Sequence, residues 1–480
     1  MPDLGAKMKR FLEVLYLCAI ILLGAGCIRF QPKPIVASKV LDDFEARRLD
    51  APELRDFLLK NQGLKAWPPP LWDLHSLTLA AFFYHPDLDI ARAQWGVAQA
   101  GRITAGERPN PAAGVLMGYN STTPVSEVTP WIPEAALEIP IETTGKRGYR
   151  ISEARQLSEA ARLNIFSVAW VVRSRLRQAF LDLYAARETE LLLKRQQSIQ
   201  VDIVRILEAQ LAVGEVSAVE VTQARIALDS SRLAAIDAAN QSVAAEIRLA
   251  DALGVPVIAL EGASISFNEL GQMRSDLPSN EIRRRALVNR ADILSALSEY
   301  EAVQSALRLE IAKQYPDLNL GPDYQLDQTD NKWTLGLSLI LPLLSRNKGP
   351  IAEAEARRAE SAAKFLALQA KVISEIETAT AACRSAVEKA KAAADLLDNL
   401  HKQEATARAR YEFGDVSKLE LLGIQLEAAT SALARLDALV KAQQAIGEME
   451  NAMQTPLDLK EWYLKTPLRT SGQAKERRDE

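Results

Sequence analysis

Gly214-Glu215-Val216-Ser217-Ala218-Val219-Glu220 recurs as Gly414-Asp415-Val416-Ser417-Lys418-Leu419-Glu420, a shift of 200 residues. The shift holds without a gap through Ser231/Ser431, Leu233/Leu433 and Asp237/Asp437 to Pro256/Pro456. Upstream, Asp87/Asp292, Pro111/Pro316 and Tyr119/Tyr324 keep step at 205. A period this long is not that of a solenoid, whose repeats run from about 20 to 50 residues. It implies two copies of one large unit within a 480-residue chain.

Each motif reads as a helix reversal. Gly214 and Gly414 stand where a helix ends, and glycine tolerates the positive φ of that position. Ser217 and Ser417 stand where the next helix needs an N-cap. Glu220 and Glu420 follow at capping-box spacing. The flanking stretches are long. Neither proline nor glycine occurs between Gly148 and Gly214, and apolar residues such as Leu163, Phe166, Trp170, Leu176, Phe180 and Leu183 recur at helical spacing. About 65 helical residues make a rod of roughly 100 Å. Two such hairpins are predicted: Gly145 to Ala212 with Val216 to Leu253, and Ile351 to Phe413 with Val416 to Met453. Patterns beyond about 25 residues point to a coiled coil or a helical repeat.

Between the helical stretches lie strand candidates. Leu318, Leu320, Pro322, Tyr324 and Leu326 alternate with Asn319, Gly321, Asp323, Gln325 and Asp327. Trp333, Leu335, Leu337, Leu339 and Leu341 continue the pattern with an intervening set that is mostly polar. In the first copy Val115, Met117 and Tyr119, then Trp131, Ala135, Leu137 and Ile139, alternate more weakly. Alternating runs of about 10 residues with aromatics near their ends fit a transmembrane β-barrel. An open edge cannot sit in lipid, and four strands are too few to close. A soluble sheet beside a coiled coil is the plain alternative.

The N-terminus is a targeting segment. Lys9 and Arg10 precede an apolar run from Val14 to Gly26, as in a secretory signal peptide. The run is short for a membrane span. It ends Leu23-Gly24-Ala25-Gly26-Cys27, similar to a bacterial lipobox with Cys27 as the lipid attachment, although Gly24 stands where Leu is usual. No Asp follows Cys27, which favours transit to the outer membrane. Met8 reads as a more ordinary start than Met1.

Composition excludes other classes. Net charge is −4 with both signs interspersed, so no nucleic-acid surface is expected. Cys18, Cys27 and Cys383 form no disulfide framework. His75, His85 and His401 are scattered, and no HExxH, GxSxG or Cys/His cluster occurs, so neither a catalytic centre nor a metal site nor a cofactor is expected.

Together the hairpin motif, the strand pairs ending at Pro140 and Pro342, Trp333-Thr334-Leu335-Gly336-Leu337-Ser338 and Asn289-Arg290-Ala291-Asp292-Ile293 resemble the outer-membrane factor (TolC-like) family over residues 65–457. Ile141-Glu142-Thr143-Thr144-Gly145-Lys146-Arg147 resembles a segment of its CzcC-like, heavy-metal branch, with Thr144 in place of the first of two glycines. The resemblance implies an α+β membrane protein: a homotrimer whose four strands per chain build a 12-stranded transmembrane β-barrel above a long α-helical barrel. It implies a lipid-anchored exit duct in the outer membrane extending into the periplasm. The partners would be outer-membrane lipid, a periplasmic adaptor (membrane fusion) protein and an inner-membrane efflux pump of the RND type. Gly214 and Gly414 would be the periplasmic tips, and Glu420, with Glu220 a weaker candidate, would be the acidic residues of the tunnel entrance. Gly423 stands where some relatives carry a second acid. The domain organisation expected is a signal peptide (1–26), an extension from the lipidated Cys (27–64), the first repeat (65–257), an equatorial segment (258–280), the second repeat (281–457) and a charged, disordered tail (458–480). A structural coiled-coil envelope lipoprotein without a channel is the competing reading; it needs the helices but not the strands.

Overall fold

The structure, a computed structural model, describes residues 29–62, 67–122, 129–271, 280–327, 330–342 and 344–456. The signal segment, Cys27 and the charged tail lie outside the described residues. The chain forms two compact units, residues 1–47 and 48–480. The first holds helix α1 (Ala37–Glu45), which buries none of its residues.

The larger unit opens with α2 (Pro52–Gln62), α3 (Leu74–Tyr84) and α4 (Pro86–Gly106). Strands β1 (Ala112–Tyr119) and β2 (Trp131–Ile141) follow, then α5 (Lys146–Ala212) and α6 (Ala218–Leu253). The second copy repeats the order from α7 (Asn280–Asn289) and α8 (Ala291–Ala312) through β3 (Leu318–Asp327) and β4 (Asp330–Leu339) to α9 (Lys348–Glu412) and α10 (Lys418–Met453). Helix α5 has 67 residues and α9 has 65, so each runs close to 100 Å at about 1.5 Å per residue. Helix α9 starts three residues earlier than the apolar pattern implies, because Pro350 falls in the first turn, where its missing N–H costs nothing.

All four helix C-termini of the two hairpins close in the same way. Gly214 N–H donates to Leu211 O at 3.0 Å and Glu215 N–H to Gln210 O at 2.9 Å; Gly414 and Asp415 repeat both bonds on Tyr411 and Arg410. This is the Schellman pattern. Gly254 and Gln454 end α6 and α10 in the left-handed region, with φ of 76° and 46°.

The two copies interleave. Helix α5 packs on α6 of its own copy but also on α8 and α10 of the other. The largest core gathers Phe82, Phe180, Leu176, Leu183, Leu249 and Leu253. A smaller one in the second copy gathers Ile293, Val372, Ile376, Cys383, Met449 and Met453. Burial raises the Cys383 thiol above its ordinary value, as befits a packed, inert side chain. Where the copies meet, Arg173 and Arg177 are both buried against Glu450, at 3.0 and 3.5 Å. The backbone of Gly447 makes room for the Arg177 side chain: a Cβ there would lie 3.0 Å from its Nη1.

Candidate functional site

The four strands form one antiparallel sheet in the order β1-β2-β3-β4. The two copies are joined at its centre by the β2–β3 pairing, Ile139↔Leu320 and Ala135↔Tyr324 among others. One face carries Val115, Met117, Leu335 and Leu337, all more than 60% exposed in the single chain. Tyr119 stacks edge-on against Trp131 and Tyr324 packs against Trp333, with ring centroids 4.9 and 4.7 Å apart. Each aromatic pair crowns one β-hairpin at the end away from the helices. Alternation places Glu134, Glu138, Asp323, Asp327, Asp330 and Lys332 on the opposite face. A belt of small residues crosses that face: Gly114 opposite Ala136, and Gly321 opposite Gly336. Among the described residues the outer sides of β1 and β4 are unpaired. These strands run in opposite directions, so β4 of one copy fits β1 of another as an antiparallel neighbour.

The Thr143–Arg150 segment is the joint between sheet and helices. Thr144 and Gly145 both take positive φ, 55° and 73°. Thr144 therefore occupies, as a β-branched residue, a backbone conformation suited to glycine, and its Oγ1 donates to Ala312 O at 3.2 Å. Arg346 and Asn347 make the equivalent turn in the second copy, with φ of 50° and 53°. Lys146 is buried and donates from Nζ to Tyr315 O at 2.7 Å and to Asp317 Oδ1 at 2.8 Å. Thr143 N–H donates to the same carboxylate at 2.9 Å. Burial alone would raise the Asp317 pKa, but these hydrogen bonds outweigh it and hold the carboxyl below its ordinary value. On the other side, Arg147 Nε donates to Gly106 O at 2.6 Å, and Arg150 clasps Glu142 with both terminal nitrogens. The Glu142 bond holds Arg150 above its ordinary pKa, against a smaller effect of burial. The segment thus ties the base of β2 to the ends of both α4 and α8. Its Gly-Lys pair is a structural clasp.

The structure separates the two tip residues that spacing treats alike. At the first tip the capping box is complete: Glu220 N–H donates to Ser217 Oγ at 3.3 Å, and Ser217 N–H donates to Glu220 Oε1 at 3.3 Å. At the second, Glu420 N–H donates to Ser417 Oγ at 3.1 Å, but the Glu420 carboxylate accepts no hydrogen bond among the described residues. Both carboxylates are exposed. The glycines Gly214 and Gly414 have φ of 78° and 84° and open space around them. Each follows an apolar residue that spacing did not single out: Val213 is 72% and Phe413 85% exposed. Lys418 lies 5.3 Å above the Tyr411 ring, a contact the first tip lacks because Ala218 and Leu211 stand there.

His85 is a cap, which no motif signalled. Its Nδ1 accepts from Asp87 N–H at 3.2 Å at the start of α4. In the second copy Arg290 occupies the equivalent place, and Gln454 Oε1 takes over by accepting from Ala291 N–H at 2.9 Å.

Two β-hairpins, two long helical hairpins and two unpaired sheet edges define a chain that supplies one portion of an assembled β-barrel and helical tunnel. Residues 83–255 and 282–455 each match the family described as outer membrane efflux protein. The chain belongs to that family, one match for each copy of the repeat. The cobalt-zinc-cadmium resistance protein CzcC of Cupriavidus metallidurans is 26% identical over 238 residues, 48% of this chain and 55% of that protein. The match thus spans little more than half of CzcC. The pyoverdine export outer membrane protein OpmQ of Pseudomonas aeruginosa is 26% identical over 443 residues, 84% of this chain and 89% of its own. In fold the chain is similar to CusC, a transmembrane channel, with a TM-score of 0.64 at 19% identity over 81% of this chain and 94% of that one. It is equally similar to the outer membrane protein VceC of Vibrio cholerae, with a TM-score of 0.63 at 19% identity over 80% and 97%.

Proposed function

We propose that three copies of this chain close a 12-stranded outer-membrane barrel over a 12-helix periplasmic tunnel, the passive exit duct of a tripartite efflux system. The observation that carries this reading is the sheet: four strands, an apolar aromatic-crowned face, and two unpaired edges of opposite direction. Such a sheet is unstable in lipid until its edges are paired. A coiled-coil lipoprotein without a channel has no use for it. The helices make the same demand. Val219, Ile226 and Leu233 recur every seven residues on α6 and are each more than 60% exposed, a coiled-coil seam without a partner in the single chain.

Val213 and Phe413 at the tips supply an apolar surface for an adaptor protein, beyond which stands an inner-membrane pump. Cys27 is the lipid anchor. Three Glu420 carboxylates, free of their caps, would ring the tunnel entrance and draw cations, whereas Glu220 serves its capping box. The sheet's polar face carries five carboxylates against Lys332, so the lumen also favours cations. This and the similarity to CzcC make metal cations the cargo class. In this reading the duct is passive: it conducts cations without coordinating them, and no bond is made or broken. Currents through the protein in planar bilayers test the reading. Cation-selective channels are expected; anion selectivity would overturn the cargo assignment, and a stoichiometric high-affinity metal site on the purified protein would overturn passive conduction.

A further inference from the structure

The junction that fuses the two copies inside the chain is a template for the junction between chains. In both β-hairpins a tyrosine is paired with a tryptophan, Tyr119↔Trp131 and Tyr324↔Trp333. Tyr119 to Tyr324 is a shift of 205 residues, and Trp131 to Trp333, like Pro140 to Pro342, is a shift of 202. The first shift carries β1 onto β3 and the second carries β2 onto β4. Where the hairpins meet inside the chain, Ala135 pairs with Tyr324, Ala136 with Asp323 and Ile139 with Leu320. The same shifts, applied to the outer edges, set Leu337 opposite Tyr119 of the next copy, Ser338 opposite Gly118 and Leu341 opposite Val115. Leu337, Leu339 and Leu341 then share the apolar face with Tyr119, Met117 and Val115, as the two-residue period of a strand demands.

The strand lengths fit this register. Strand β1 begins at Ala112, the partner of Glu138, so Ile139, Pro140 and Ile141 at the end of β2 are held by β3 alone. The corresponding stretch of the second copy begins at Leu341, and β4 stops at Leu339; its continuation waits for another copy's β1. The polar face supplies an independent observation. Alternation puts Leu116 and, just past the end of β4, Ile340 on that face, at its two opposite edges. They are 61% and 83% exposed. The remaining large aliphatic side chain on that face, Ile132, is half-buried beside its partner Gly118. The register taken from the repeat sets Ile340 directly opposite Leu116. A slip of two residues either way would face Leu116 with Ser338 or Pro342 instead.

We infer that β4 of one chain pairs with β1 of the next in this register and lengthens to Leu341 as it does so, with Ile340 packed on Leu116 across the seam. The inference rests on the trimeric reading above and adds which residues meet. At the junction inside the chain the counterparts of Ile340 and Leu116 are Glu138 and Gly321. That junction forms at the high effective concentration of a single polypeptide and carries a carboxylate on the polar face. The junction between chains has to hold separate molecules, and its apolar pair leaves water only when they meet.

The test uses the full-length protein with cysteine pairs on the apolar face, extracted from outer membranes and treated with an oxidant or a short bis-methanethiosulfonate. Met117→Cys combined with Leu339→Cys should link chain to chain. Leu339→Cys combined with Val115→Cys or with Tyr119→Cys, each two residues out of register, should give several-fold less, and the single variants no more than the parent. Leu116→Glu should lower the yield of trimer several-fold, and adding Ile340→Lys should restore it. The native mass of every sample is read in parallel. A trimer in which a shifted pair links as well as Met117 with Leu339, or in which no pair links, overturns the register and leaves the duct standing. A trimer yield that Leu116→Glu does not lower, or that Ile340→Lys does not restore, overturns the apolar contact. A parent chain that stays monomeric overturns both the seam and the duct.

Discussion

Removing the Lys146 ammonium isolates the joint between barrel and helices. Lys146→Met keeps the side-chain stem and deletes two hydrogen bonds, at 2.7 and 2.8 Å. Hydrogen bonds to charged groups contribute about 1.5–3 kcal/mol each. The Asp317 side chain is 43% exposed, so water restores part of what it loses, and its share falls to the roughly 0–1 kcal/mol of a surface pair. The bond to Tyr315 O is the larger contribution, because Lys146 itself is only 6% exposed. Against this, a cation in the first turn of α5 opposes the helix dipole by about 0.3–1 kcal/mol, which the substitution relieves. The net destabilisation expected is about 2 kcal/mol. Urea titration of detergent-solubilised protein, followed by far-ultraviolet circular dichroism, should show an earlier midpoint at unchanged slope. The pH dependence adds a second reading. The folded-state pKa of Asp317 is depressed, so its contribution is present above the unfolded carboxyl pKa and lost as pH falls through the folded value. In Lys146→Met that acid-sensitive part should shrink. A variant within about 0.5 kcal/mol of the parent, the scatter of ordinary surface changes, would refute the clasp.

Glu420→Gln should lower cation preference in planar bilayers with little loss of stability, while Glu220→Ala should leave selectivity alone and weaken the first hairpin by about 0.5–1.5 kcal/mol through the lost capping-box hydrogen bond; equal effects on selectivity would show that the caps do not distinguish the tips. Gly254→Ala should cost well over the roughly 1–2 kcal/mol of a left-handed alanine, because its Cβ would lie 3.0 Å from Tyr84 O, whereas Gly214→Ala has open space and should cost only that strain; matched melting curves for the two would contradict the packing. Burial lowers the His85 pKa below 6.5, against an opposing effect of Asp87, so its stabilisation is present above pH 6.5 and is lost as pH falls below that value. Thermal melts should therefore show less acid sensitivity between pH 6.5 and 5 in His85→Asn, which keeps a capping side chain, and an unchanged profile would exclude His85 as its source.

Local chemistry was legible in the sequence, and long-range pairing was not. The helical hairpins show because glycine, serine and glutamate at fixed spacing obey rules spanning a few residues. The strands show because their alternation is local too. That β2 pairs with β3, so that the copies fuse into one sheet, has no local signal. Lys146 was visible as part of a Gly-Lys-Arg segment, but its purpose is set by Asp317, 171 residues away. Arg173, Arg177 and Glu450 carry no local signal, yet they are buried where the two copies meet. Gly447 makes room for Arg177 only once α5 and α10 are side by side. The unequal capping of Glu220 and Glu420 likewise needed coordinates, since the two motifs share their spacing.

The most direct test of the account is the native mass of the full-length protein extracted from outer membranes in mild detergent. Three chains per particle are predicted, because three sets of four strands close a twelve-stranded barrel in which every β1 pairs with a β4. A stable particle of one or two chains, with its four-stranded sheets intact in lipid, would contradict it.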